Sequence, residues 1–137
     1  MSFKVERVML VDDNEIDNFV TRRIMEGIDF AEDVIVMTSG KGALDFITEN
    51  KDDIDALPDI IFLDLNMPIV DGFLFLYEFD DFSDDVKEKC NIVVLSSVIE
   101  QSTIDKILKN EYVFDFIPKP ITEDALHKLA EELTVGD

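Results

Sequence analysis

An open, doubly wound α/β sheet is the fold this sequence predicts. Two observations carry the prediction: five short apolar runs recur along the chain, and amphipathic helical patterns lie between them. The runs are Arg7–Val11, Val34–Met37, Ile60–Leu63, Ile92–Leu95 and Val113–Ile117. Most are apolar nearly throughout, without the in/out alternation of a half-exposed strand, which is the pattern of parallel strands covered on both faces by helices. Strict alternation of strand and helix implies parallel pairing through right-handed crossovers. The expected product is a five-stranded parallel sheet in the order 2-1-3-4-5, flanked by five helices.

The helical patterns follow in order. Ile16, Phe19, Val20 and Ile24 share one face of the first. The second, with Ala43, Leu44 and Ile47, and the third, with Phe73, Leu76 and Phe79, are shorter. Ile99, Ile104, Ile107 and Leu108 mark the fourth, and Ala125, Leu126, Leu129, Ala130 and Leu133 the last. The acidic run Asp80–Asp85 reads as a solvated helix end and loop, because its spacing lacks the glycine and terminal glutamate of a calcium-binding hand. Phe73, Phe75, Phe79 and Phe82 read as core and boundary packing.

Composition bounds the function. A chain of 137 residues suits one domain, expected here to span 1–137 with no output domain, and 47% hydrophobic residues exclude a disordered acidic tail. Twelve basic against 32 acidic residues leave a net charge of −20, which argues against direct binding to nucleic acid or an anionic membrane. One cysteine, Cys90, has no partner for an internal disulfide. No leader-like segment and no membrane-length apolar stretch is present, so a cytoplasmic protein is expected.

In doubly wound sheets the ligand sits beyond the carboxyl ends of the strands where strand order reverses, here outside strands 1 and 3. Strand 1 runs into Asp12-Asp13, strand 3 into Asp64, strand 4 into Ser96-Ser97, and strand 5 through Pro118 into Lys119. Three carboxylates converging on one cleft repel one another unless a cation neutralises them, and hard oxygen ligands suit magnesium. Lys119 adds a compact positive charge and Ser96 a hydroxyl, so the set forms a cradle for a phosphoryl group with Asp64 as nucleophile. A competing reading makes Asp12-Asp13-Asn14 a helix cap; it holds equally well for Asn14 alone, but not for Asp12 and Asp13 taken with Asp64 and Lys119.

Asp12-Asp13, the run Asp64-Leu65-Asn66-Met67-Pro68 with Asp71-Gly72, then Ser96, and Lys119-Pro120 resemble, in combination and in order, the receiver domain of two-component response regulators. The resemblance spans essentially the whole chain and is to the stand-alone, CheY-like type with its flavodoxin-like fold. It implies that Asp64 is the phosphoacceptor, that Asp12 and Asp13 hold Mg2+ together with Asp64, and that Asn66 offers its backbone carbonyl to the same ion. Ser96 is then the hydroxyl switch, Lys119 the phosphoryl-contacting lysine and Phe116 the switch aromatic, where tyrosine is frequent. Lys119-Pro120 resembles the family's cis bond, whereas Pro118 is a departure that removes a backbone donor at the end of strand 5. In the family, the positions of Asn66 and Ser97 influence water access to the phosphoryl group.

The implied mechanism is a two-state switch: phosphorylation draws Ser96 inward, Phe116 fills the vacated space, and the surface of the fourth helix, fifth strand and fifth helix changes for a partner. Such a domain assists its own phosphoryl transfer and dephosphorylation but is not an enzyme acting on outside substrates. The implied donor is a histidine kinase or a histidine phosphotransfer protein. The target is an unidentified protein, with output by contact or by relay. His127 reads as a helix residue and Cys90 as structural.

Three rival readings are weaker. An aspartyl-phosphate hydrolase of the haloacid-dehalogenase type needs Asp-x-Asp-x-Thr after its first strand, but Asp64 follows the third and is followed two residues on by Asn66. A flavodoxin-like cofactor binder needs a Ser/Thr/Gly-rich phosphate loop where this chain has Asp12-Asp13-Asn14-Glu15. A third rival is a receiver fold that no longer accepts phosphate and serves only as a protein-binding module; the acidic pair Asp12-Asp13, Asp64 and Lys119 argue against it and leave it as an alternative.

Overall fold

The computed structural model describes residues 5–65, 71–97 and 100–135. Parallel strands β1 (Val5–Val11), β2 (Ala31–Met37), β3 (Ile60–Asp64), β4 (Asn91–Ser96) and β5 (Val113–Pro118) form one sheet in the order β2-β1-β3-β4-β5, as expected. Strand order reverses between β1 and β3, which pair from Val8 with Ile60 to Val11 with Leu63. The central strand β3 is buried at all five residues. β2 starts earlier than its apolar run because it is an edge strand, where Glu32 and Asp33 can face water.

Six helices rather than five surround the sheet among the described residues: α1 (Glu15–Gly27), α2 (Gly40–Glu49), α3 (Gly72–Phe79), α4 (Asp84–Lys89), α5 (Gln101–Leu108) and α6 (Glu123–Val135). The additional one is α4, which begins at the last two residues of the acidic run read as a helix end and loop; Asp80, at the start of that run, is the C-cap of α3. Ser83 caps α4 by accepting from the Val86 N–H, Asp84 and Asp85 occupy its first turn, and Lys87 and Lys89 its last, so these four charges suit the helix dipole. Val86 is buried and anchors it.

Two apolar layers pin the helices to the sheet. On one face Met9, Ile61, Leu63 and Val94 pack with Ala43 and Ile47 of α2, Phe75 and Phe79 of α3, and Ile107 of α5. On the other, Leu10, Phe62 and Val93 pack with Met25 of α1 and with Leu126 and Leu129 of α6. Ile99, expected on the fourth helix, lies outside the described residues. Leu108, assigned to that helix's apolar face, is 49% exposed, and none of the described helices is long and apolar enough to cross a membrane.

The first helix departs from expectation. Its apolar stripe faces water, with Ile16 74%, Phe19 63% and Val20 42% exposed, while Asn18, Thr21 and Met25 are buried. Only Ile24 of the predicted stripe packs against the core. The cause is local: the N-terminal half of α1 lies over a polar strand end, where the Asn18 amide donates to the Asp12 carbonyl at 2.8 Å. Polar residues therefore face inward there.

Candidate functional site

Each strand delivers its last residues to one end of the sheet. Asp12 follows β1, Asp64 ends β3, Ser96 ends β4, and Lys119 follows β5. Parallel pairing aligns these ends, so the sequence's strand-end residues meet without any long loop. Asp12, Asp64 and Ser96 are buried, and Asp13 is exposed. Carboxylate oxygens of Asp12, Asp13 and Asp64 lie within 4.8 Å of one another, a cluster able to hold a metal ion.

Lys119 is the hub. Its ammonium donates to Asp12 Oδ2 at 2.7 Å and to Asp17 Oδ2 at 3.0 Å, and lies 3.3 Å from Asp64 Oδ1. Burial lowers its pKa, but the hydrogen bonds to Asp12 and Asp17 and the charge of Asp64 outweigh that, so the group is held above the usual lysine range. The Lys119 backbone N–H donates to the Ser96 carbonyl at 3.0 Å, which ties the lysine to the end of β4. Hydrogen bonding in a strand alternates sides, so Pro118, one residue earlier, places its donorless nitrogen toward the open edge and costs the ladder nothing. The Lys119–Pro120 bond is cis.

Asn14 caps α1, its side chain accepting from the Asp17 N–H, and its own N–H donates to Asp12 Oδ1 at 2.9 Å. Capping and site are therefore one arrangement, since the cap fixes the Asp12 carboxylate. Gly72 makes the α3 side of the site possible. A Cβ there would stand 2.9 Å from Leu65 Cα and 3.2 Å from the Asp64 carbonyl oxygen, so only glycine lets α3 start this close to the end of β3. Phe116 is half-buried in β5, paired in register with Val94, and packs against the apolar layer that holds α3 and α5. Asn66 lies outside the described residues.

Two residues at the site escaped the sequence reading. Asp17 and Asn18 sit in the first turns of α1, where a polar pair reads as solvent-facing. The available signal was spacing: Asp17 falls four residues after Asp13, and Asn18, Thr21 and Met25 recur at helical intervals on the inward side. Cys90 is buried in the α3-side layer, and burial pushes its thiol up to about 12, in keeping with a structural residue.

Comparison with known proteins agrees with this geometry. The response regulator receiver domain family matches residues 8–131. The chain belongs to that family. Among solved structures, the receiver domain superposes on a two-component response regulator from Cytophaga hutchinsonii with a TM-score of 0.88, at 27% identity over 96% of this chain and 98% of the other. The bacteriophytochrome response regulator AtBRR gives a TM-score of 0.77, at 27% identity over 96% of this chain and 94% of that one. Among curated relatives, the probable methanogenesis regulatory protein FilR2 of Methanothrix harundinacea is 28% identical over 92% of this chain and 79% of its own length. A protein-glutamate methylesterase/protein-glutamine glutaminase of Caldanaerobacter subterraneus is 26% identical over 93% of this chain, which spans 32% of that relative. Receiver domains are signalling switches of two-component systems, and their acidic pocket is the type of cluster seen here.

Proposed function

We propose that this receiver domain accepts a phosphoryl group on Asp64 from a histidine kinase or a histidine phosphotransfer protein. The observation that carries the reading is the Lys119 ammonium lying 3.3 Å from Asp64 within the carboxylate cluster. Asp12, Asp13 and Asp64 supply hard oxygen ligands that fit Mg2+, and the family resemblance adds the Asn66 backbone carbonyl to that set. Such a cation, when bound, offsets negative charge on the transferring group.

An Asp64 oxygen attacks phosphorus in line, and the bond from phosphorus to the donor's imidazole nitrogen breaks, its electron pair leaving with that nitrogen. Lys119 donates to a phosphoryl oxygen and offsets its charge. Buried Ser96 then turns its hydroxyl to another phosphoryl oxygen, and Phe116 moves into the space Ser96 leaves. The surface built from α5, β5 and α6 changes in consequence. Leu108 and Phe114, 49% and 39% exposed, give that surface apolar contact area for a protein target. The exposed Ile16, Phe19 and Val20 beside the cleft provide the corresponding area for the donor.

Intact-mass spectrometry after incubation with acetyl phosphate tests the reading. The expected result is a single phosphate adduct that requires magnesium and is absent from Asp64→Asn. An adduct that survives Asp64→Asn, or none in a folded wild-type chain with magnesium, overturns it.

A further inference from the structure

Three carboxylates surround the Lys119 ammonium, and one of them belongs to neither the metal-type cluster nor the strand ends. Asp17 Oδ2 accepts from Lys119 Nζ at 3.0 Å, from the first turn of α1. An ammonium has three N–H donors. Two of them go to carboxylates, Asp12 at 2.7 Å and Asp17 at 3.0 Å, and Asp64 Oδ1 lies 3.3 Å away as an ion-pair partner. A phosphoryl group on Asp64 brings further anionic oxygens to this same ammonium, so the carboxylates that hold it at rest compete with that group for its charge and donors. Asp12 is the least able to give way, because it is buried and its other oxygen is held by the Asn14 N–H. Asp17 is 42% exposed at its side chain, so its carboxylate can be solvated by water once it releases the lysine.

We infer that Asp17 is a positioning residue that holds Lys119 in the resting state and competes with the incoming phosphoryl group for it. The inference rests on Asp64 being the phosphoacceptor and adds a determinant that the strand-end set lacks. On phosphorylation one Lys119 N–H moves from Asp17 to a phosphoryl oxygen, and the Asp17 carboxylate is left on α1 beside exposed Val20. The resting contact therefore opposes phosphorylation. A partly exposed ion pair sets the size of that opposition at about two- to five-fold in equilibrium constant.

Two measurements on the full chain test this. The first is the affinity for beryllofluoride, a phosphoryl mimic, in the presence of magnesium. Asp17→Asn should bind it about two- to five-fold more tightly than wild type, and Asp17→Glu should return toward wild type. Glu15→Gln removes a charge from an exposed residue of the same helix turn and should change nothing. The second is a double-mutant cycle of Asp17→Asn and Lys119→Met on urea unfolding, which reads the resting contact with no ligand present. The two substitutions should be non-additive by about two- to five-fold in the unfolding constant. Equal or weaker binding by Asp17→Asn, the same gain in Glu15→Gln, or additive variants in the cycle overturns the inference. A folded wild-type chain that binds no beryllofluoride instead refutes the Asp64 reading, and the inference falls with it.

Discussion

Replacing Lys119 by methionine keeps an unbranched side chain one atom shorter and removes its charge, leaving Asp12 and Asp64 facing each other without a cation. Their side chains are 9% and 8% exposed, so neither can be solvated in place. At 2.7 and 3.3 Å and an effective dielectric of about 20, each lost contact is on the order of 5 kcal/mol gross. Desolvation of all three groups offsets most of that, and removing one partner of a buried pair costs about 3–5 kcal/mol net. Lys119 is 20% exposed, which lowers the expectation to about 2–4 kcal/mol. With a typical denaturant slope, the urea midpoint at neutral pH and without divalent cations falls by about 1–2 M. Adding Asp64→Asn to Lys119→Met removes one of the stranded charges and recovers much of the loss. Magnesium recovers stability in the single variant for the same reason. An unchanged midpoint in Lys119→Met, or a double variant less stable than the single one, would refute the reasoning.

Other parts of the molecule give sharper or simpler tests. Gly72→Ala places a Cβ 2.9 Å from Leu65 Cα, so it should cost about 1–3 kcal/mol in urea unfolding and shift the amide resonances around Asp64. Phe19→Ser should change stability by less than about 0.5 kcal/mol because the ring is 63% exposed, whereas Met25→Ala, at 1% exposed, should cost about 2–5 kcal/mol. The Cys90 thiol, raised to about 12 by burial, should resist alkylation in the folded chain at pH 8 and react fully in denaturant. Because the folded chain holds that proton to higher pH than the unfolded chain, its contribution is complete below the unfolded thiol's value of about 8.5. It is lost as pH climbs from there toward 12.

What the sequence made legible was decided by burial. Strands covered on both faces must be apolar nearly throughout, so the change to Asp12, Asp64, Ser96 and Lys119 at their carboxyl ends is abrupt and readable, and the alternation with helices leaves little choice of topology. Helix faces were less legible. The rule that apolar residues mark the buried side fails on α1, where the inward side must satisfy the Asp12 carbonyl through Asn18 and the lysine through Asp17. Ile16 and Phe19 are thereby left outside. The α4 helix was hidden for a related reason: a run of acidic residues reads as solvated loop unless Ser83 is seen as a cap and the charges as ordered along a helix dipole. Spacing sets Asp17 one helical turn after Asp13, but its contact with Lys119 is visible only in the tertiary geometry, because that partner lies 102 residues away in sequence.

The central claim is that Asp64, among the clustered carboxylates, takes the phosphoryl group. The most direct measurement is borohydride trapping of the acyl phosphate after incubation with acetyl phosphate and magnesium, followed by peptide mapping. The reduced residue should be Asp64 alone. Reduction at Asp12, Asp13 or Asp17, or at no carboxylate in a chain that remains folded, would contradict the account.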